Sequence, residues 1–392
     1  MSDRPSKSGS RREFLSSGVS WTGALALGGA CAETRDARAA PPVPGWPEGD
    51  PLDAALERLH AHLPDADIHR SNHVPMVVET LCVLGRGDAI APWFEANVDA
   101  EHVAPPGPRR PIALEGWRDA LGDEQRFADW QALFLAELER EEWKLVVRRW
   151  CARLAPGLAG AATHGVIRTA HATRGLAARD SAIRRRELAT GLAYWAASYE
   201  ELPWDGTLAP EPSVAAALAR VEPRRPALEP PAGNIVTGLR ALAGTPSFVP
   251  VAGLVDTSDP ARTLGELTSV SARLYLANPE RRVAFTHGVT APSALRLLAP
   301  YLDDESVERA LRFAWQAAAG LYVVYGDPRS SPQSSPAHAH ASVERAALVA
   351  RAVENGAAHA IKLTEACLRE EAFTHDPLLL DAARDAGESM HG

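Results

Sequence analysis

From Pro51 onward, apolar residues recur at intervals of three or four positions, which is the period of an α-helix. No series of alternating strands and turns is present, and no alternation of strands with helices that would predict a parallel sheet. The single candidate strand, 248–255, contains a proline, which argues against it. The sequence therefore predicts an all-α fold, a large bundle-like array of many helices.

Breaker-rich segments divide this pattern into helical runs. The stretch from 123 to 155 is interpreted as one long helix or a closely spaced pair, ended by Pro156. A further helix is predicted at about 291–301. The main proline-rich interruptions are 104–111, 203–232 and 326–336.

The composition and the missing motifs exclude several classes of function. The net charge is −9 and no long basic run occurs, so nothing indicates nucleic-acid binding. The chain has no Gly-x-Gly-x-x-Gly after a strand, no P-loop, no His-Glu-x-x-His and no Gly-x-Ser-x-Gly. A standard flavin or nicotinamide site is therefore not expected.

The N-terminal segment predicts export. Residues 10–15 (SRREFL) resemble a twin-arginine motif, and the apolar stretch at 18–30 is shorter than the ~20 residues of a membrane span. We therefore expect a twin-arginine signal peptide over 1–40, passage through the twin-arginine translocase, and a periplasmic or secreted protein without a stable membrane span. A lipid anchor at Cys31 is the competing interpretation. A proline-rich lead-in at 41–52 and one helical domain at 53–388 follow.

Four histidines lie beside apolar residues at the start of, or within, helical patterns: His73, His164, His287 and His359. A polar ring on an apolar helix face must be hydrogen-bonded or bound to a metal, because burying it unpaired is costly. Any one of them alone is more often a core or capping residue. Together they favour a shared metal ion held between helices, where helical proteins build such sites.

Lys362 adds a feature to the last of these segments. It lies three residues after His359, so the two share a helix face, and its neighbours are apolar. Burial favours the neutral amine. A neutral lysine reacts with carbon dioxide to give a carbamate, which is an oxygen ligand for a metal. A surface lysine whose charged end reaches solvent is the alternative.

Other candidate residues are less specific. His171 lies two helical turns after His164 on the same face, and Glu365 lies on the Lys362 side of its helix, so both are candidates for supporting or catalytic roles. His69 is the substitute ligand should His73 not bind. His338 and His340 form a possible chelating pair, although a solvated helix start is the more expected role after their Ser/Pro-rich loop.

The segment 359–370 (HAIKLTEACLRE) resembles the C-terminal signature of the questin oxidase-like family. The segments around His73, His164 and His287 resemble its other signatures, in the same order. The resemblance implies a non-haem Fe(II) held by His73, His164, His287, His359 and a carboxylated Lys362. Imidazole with an anionic oxygen suits Fe(II).

The same resemblance implies an oxygenase that uses dioxygen on an aromatic or polyketide-like small molecule, with oxidative ring cleavage as the reaction. Some members of the family require NADPH, but an exported enzyme would lack ready access to it. The family often has two acidic residues where this chain has Ala357 and Ala358. The alternatives are an exported metal- or ligand-binding helical protein without oxygenase activity, and a hydrolase in which the metal activates water.

Overall fold

The computed structural model describes residues 46, 49–62, 73–98, 110–223, 234–327 and 344–390. The predicted signal peptide with Cys31, most of the lead-in, and His69, His338 and His340 lie outside these residues. The predictions made for them stay predictions.

The described residues form α-helices joined by turns and short 3-10 segments, with no β-strand in this part of the chain. The all-α prediction is confirmed. The helices are α1 Pro51–His62, α2 Val74–Val83, α3 Ile90–Asn97, α4 Phe127–Arg140, α5 Trp143–Leu154, α6 His164–Ala178, α7 Ala182–Ala197, α8 Val214–Ala219, α9 Ile235–Arg240, α10 Pro260–Ala277, α11 Arg282–Leu298, α12 Asp304–Tyr325, α13 Arg345–Asn355, α14 Ala358–Thr374 and α15 Leu378–Ser389.

Three segments resolve what the sequence left open or mispredicted. The stretch 123–155 is a pair of helices, α4 and α5. The candidate strand at 248–255 consists of 3-10 turns instead. Helix α11 begins at Arg282, not near 291, and continues across Pro292 in its interior. Its buried face already starts at Ala284, so tertiary packing outweighs the preference of proline for a first turn.

Four helices form a closed inner ring in the order α2, α6, α11, α14. Each of the four packs against the next, and α14 packs back against α2. The helices α6, α11 and α14 are buried along most of their length, including polar positions. Ring positions that face the centre are therefore shielded from solvent on several sides.

Each inner helix is backed by a neighbour in the chain: α1 on α2, α7 on α6, α10 on α11 and α15 on α14. In the last three pairs, connections of three or four residues (179–181, 278–281 and 375–377) make the two helices antiparallel. Fully buried aromatic side chains, among them Trp130, Trp195 and Trp315, fill the apolar core around the ring.

Among the described residues, no single helix has the length and apolar composition that crossing a bilayer requires. One pair of helical segments, Ile235–Gly244 and Pro246–Leu254, has the required length and composition only when the two are counted together, and it is sharply bent between them.

Candidate metal centre

The four histidines singled out in the sequence converge at one end of the inner ring. The Nε2 atoms of His73 and His164 are 2.9 Å apart, and those of His164 and His287 are 3.3 Å apart. The His359 ring lies 4.6 Å from the His73 ring and 5.4 Å from the His287 ring, measured between centroids. Each residue lies on, or directly before, a different helix of the ring, so the cluster is created by tertiary structure.

The histidines lie near the starts of their helices. His73 immediately precedes α2, His164 opens α6, and His359 is the second residue of α14. His287 is one turn further along α11. None of these four helices carries an acidic residue in its first turn, so no carboxylate there neutralises the positive ends of their dipoles.

An unusual turn places His164. Three consecutive residues before it, Ala161, Ala162 and Thr163, adopt left-handed backbone conformations with φ of 47°, 53° and 71°. For L-residues this conformation is unfavourable by roughly 1–2 kcal/mol per residue. The turn directs the carbonyl of Ala161 at His164, whose Nδ1 donates to it over 2.8 Å. That bond puts the proton on Nδ1 and leaves the lone pair of Nε2 facing the other histidines.

The spacing of the ring nitrogens suits a metal ion. With metal–nitrogen bonds of roughly 2.1 Å, ligand nitrogens would be about 3.0 Å apart at 90° and about 3.4 Å apart at the tetrahedral angle. The two measured Nε2 separations, 2.9 and 3.3 Å, match this range. His359 Nε2 is buried and forms no hydrogen bond within the described part of the chain. A metal ion would satisfy that atom. The ligand nitrogens of His73, His164 and His359 all lie within 4.8 Å of one another, so these three residues fit a bound ion, and His287 contacts this group through His164.

The electrostatic environment keeps the four rings neutral. Burial lowers the pKa of each histidine, and the nearby Lys362 amine lowers each further. For His287 the pKa falls to about 3. Imidazole must be neutral to bind a metal, so all four are ready as ligands at neutral pH.

Lys362 lies on α14 one turn after His359 and is only 3% exposed. Burial lowers the pKa of its amine to about 7. Across the described ranges, no carboxylate lies within ion-pairing distance of it. A buried lysine without a counter-ion beside four neutral imidazoles is costly unless the amine is deprotonated or modified.

The comparisons with known proteins decide the family. The family model described as Questin oxidase-like matches residues 70–367. The chain belongs to this family. No curated protein sequence matches the chain. The sequence resemblance is thereby confirmed, and at the level of the family this questin oxidase-like protein is an oxidoreductase. The matched range includes all five candidate ligands.

The two candidate supporting residues lie outside the histidine cluster of this questin oxidase-like protein. His171 Nδ1 is 2.6 Å from a carboxylate oxygen of Glu79 on α2, and Glu365 accepts a 2.6 Å bond from Arg174 on α6. Burial would raise the pKa of Glu79, but Arg174 and His171 lower it to about 2. The structure thus places both candidates in a buried ionic network.

An open pocket of about 480 Å³ borders the centre on one side, where His359 is the one candidate ligand that lines it. Much of its wall is formed by residues 281–284 at and just before the start of α11, by Tyr325 at the end of α12, and by Met390. Neither His171 nor Glu365 lines it. Small-molecule sites commonly have volumes of about 300–1,000 Å³, so the pocket is large enough for a ring-containing substrate.

Sequence reasoning missed most of the ionic network. Its other members are Glu79, Arg174, Ser293, Arg296, Arg369 and Glu370. A signal was present, because each ring helix carries a charged or hydroxyl residue six to eleven positions after its histidine, inside an otherwise apolar pattern. The pattern was overlooked because a single charged residue is more often interpreted as solvent-exposed.

Proposed function

We propose that this protein is a non-haem iron-dependent oxygenase that acts on an aromatic or polyketide-like small molecule, with oxidative ring cleavage as the reaction. The convergence of His73, His164, His287 and His359, with Nε2 separations of 2.9 and 3.3 Å, is the observation that carries this proposal. Four neutral imidazoles with an added oxygen ligand suit Fe(II).

Lys362 would supply the oxygen ligand as a carbamate. Its pKa of about 7 leaves much of the amine neutral near pH 7, as reaction with carbon dioxide requires. A carbamate would also bring one negative charge to a centre that has no carboxylate in the first turns of its helices. That charge would partly offset a divalent ion.

The pocket beside His359 is the proposed substrate site. Iron bound at the centre would supply the activation of dioxygen, and the pocket would hold the electron-rich ring next to it. Val283 and Met390 offer apolar wall, while the Tyr325 hydroxyl and the Arg281 guanidinium offer polar groups that can orient a substrate. Tyr325 is fixed in part by a 3.3 Å bond from its hydroxyl to the carbonyl of Asn234.

Metal analysis of the purified protein tests the proposal. We expect about one iron per chain after loading with Fe(II) under reducing conditions and carbon dioxide. Lys362→Ala should lose the iron. Lys144→Ala is the matched control, because Lys144 is the other lysine in the described part of the chain and is exposed on α5. It should keep full iron content.

Oxygen uptake with aromatic and polyketide-like compounds then separates the alternatives. Iron-dependent uptake in the wild type and the Lys144 variant, absent in the Lys362 variant, is the expected outcome. Zinc bound equally by all three proteins would indicate a metal-binding protein. Turnover that continues without dioxygen would indicate a hydrolase.

We also propose export through the twin-arginine pathway to the periplasm or beyond, from the segment 10–15. Replacement of Arg11 and Arg12 by lysine should retain the protein in the cytoplasm of a bacterial host with this pathway, as measured by cell fractionation. Mass spectrometry of the exported form would distinguish cleavage near Ala39 from lipid attachment at Cys31.

A further inference from the structure

A second layer of polar residues crosses the inner ring below the histidines. Arg174 on α6 is its central member. Its Nε and one terminal nitrogen donate to the two carboxylate oxygens of Glu79 on α2, over 2.6 and 2.7 Å. Its other terminal nitrogen donates to Glu365 on α14 over 2.6 Å. One side chain therefore ties together three helices.

Helix α11, the fourth helix of the ring, joins this layer through its contacts with α14. Arg296 on α11 forms a two-pronged pair with Glu370, with bonds of 2.9 and 2.6 Å to the same carboxylate oxygen and 3.0 Å to the other. Ser293 donates to Glu370 over 2.7 Å and accepts from Arg369 over 2.9 Å. We use the name bracing layer for the following eight residues: Glu79, His171, Arg174, Ser293, Arg296, Glu365, Arg369 and Glu370.

The bracing layer also shows how the ring helices run. Helices α2 and α6 contact each other at two levels. His73 contacts His164 at the first level, and Glu79 contacts Arg174 at the second. Glu79 lies six residues after His73, and Arg174 lies ten residues after His164. The same order holds for α11 and α14, from the histidines to Arg296 and Glu370. All four helices therefore run in the same direction away from the centre.

Parallel helices can slide along one another, since apolar side chains pack without strict direction. A slide of one residue along α2 would move His73 by about 1.5 Å, which is enough to spoil a metal site that tolerates about 0.5 Å. Hydrogen bonds to a guanidinium fork are directional, so they fix the relative height of the helices. Arg174 makes such bonds to the two helices that carry His73 and Lys362.

We propose that Arg174 is a positioning residue for the metal centre: it sets the axial register of α2 and α14 against α6, and thereby the spacing of the metal ligands. This inference rests on the proposed metal site. In this role Glu79 and Glu365 are the carboxylates through which Arg174 holds α2 and α14 in place. His171 supports Glu79 from the same side of α6.

The test compares two buried arginines on one helix. Arg174→Lys keeps the charge but cannot bond both carboxylates with a planar fork. Arg168→Lys is the matched control, because Arg168 pairs in the same two-pronged way with Glu187, which lies on the outer helix α7. Glu79→Gln is a second variant. It keeps the shape of the side chain but removes the negative charge that pairs with Arg174.

Cobalt(II) titration of each purified apo-protein in carbon dioxide-equilibrated buffer gives the dissociation constant and the visible spectrum of the site. We expect Arg174→Lys and Glu79→Gln to weaken binding roughly 10–100-fold, as loss of residues that orient metal ligands usually does, and to shift the spectrum. Arg168→Lys should stay within about threefold of the wild type. Circular dichroism verifies that each protein is folded.

Equal weakening in all three variants would overturn the proposal, since it would reflect general loss of stability. So would unchanged binding and spectra in the Arg174 and Glu79 variants. A wild-type protein that binds no cobalt or iron would instead contradict the metal site itself, so the two failures are distinguishable.

Discussion

At the scale of single residues, the burial of Lys362 has a measurable consequence. Below pH 7 its amine is charged in both the folded and the unfolded chain, and the folded state bears the cost of burying that charge. Between about pH 7 and pH 10 the unfolded chain binds the proton while the folded chain does not. The free energy of unfolding should therefore rise with pH over this window because of Lys362.

We therefore expect Lys362→Met to stabilise the metal-free protein most at pH 6. Its advantage over the wild type should shrink toward pH 9, by at most about 1.4 kcal/mol per pH unit. Chemical denaturation with chelator, in buffers free of carbon dioxide, measures this difference. Lys144→Met, at an exposed position, should show no such trend. A stability difference that stays constant from pH 6 to pH 9 would contradict a lowered pKa at Lys362.

The left-handed turn before His164 gives a second prediction at this scale. Ala162→Gly removes a buried methyl group but relieves a backbone that alanine adopts at a cost of about 1–2 kcal/mol. The two terms nearly cancel, so the free energy of unfolding should stay within about 1 kcal/mol of the wild type.

Ala170→Gly is the control for this prediction. Ala170 is equally small and buried but lies in the middle of α6 with helical geometry. Its replacement should destabilise by about 2 kcal/mol, from lost helix propensity and lost burial together. Urea unfolding measures both variants, and equal losses would show that the turn carries no strain.

At the scale of helices, the buried ion pair Arg296–Glu370 between α11 and α14 should contribute far more to the free energy of unfolding than an exposed ion pair does. The side chains of Arg296 and Glu370 are 2% and 0% exposed, and those of Arg148 and Asp303 are 54% and 43% exposed. Removing one member of a buried pair leaves the other charge uncompensated, at a cost of about 3–5 kcal/mol. Exposed pairs contribute less than about 1 kcal/mol.

Arg296→Met should therefore lower the free energy of unfolding by about 3–5 kcal/mol, and Arg148→Met by less than about 1 kcal/mol. Thermal and urea denaturation of the two variants beside the wild type provide the comparison. Similar, small losses in both would mean that the α11–α14 contact depends on apolar packing alone.

At the scale of the whole molecule, a metal bound by four helices should tighten the entire ring. Binding to the folded state alone stabilises it. We expect hydrogen exchange at 164–172 and 358–366 to slow several-fold on metal loading. Helix α5, which packs on α7 and α12, should change little. Hydrogen exchange with mass spectrometry gives the comparison, and Lys362→Ala should show no slowing in any segment.

The sequence alone determined the fold class and the identity of the clustered residues. Helical periodicity is a local property, so the all-α fold could be predicted without knowing which helices meet. The four histidines and Lys362 were recognisable because each is a polar residue in an apolar segment, and their family motifs are local as well. The start of α11 was mispredicted because the local preference of Pro292 gave way to packing.

Only the tertiary structure decided how these parts are arranged. Contacts such as Arg174 with Glu79 and Glu365 join residues 95 and 191 positions apart, a distance over which no periodicity carries information. The parallel ring, the bracing layer and the pocket at His359 all depend on such contacts. The left-handed turn at 161–163 is local, yet alanine and threonine do not favour it, so only the surrounding packing can hold it in place.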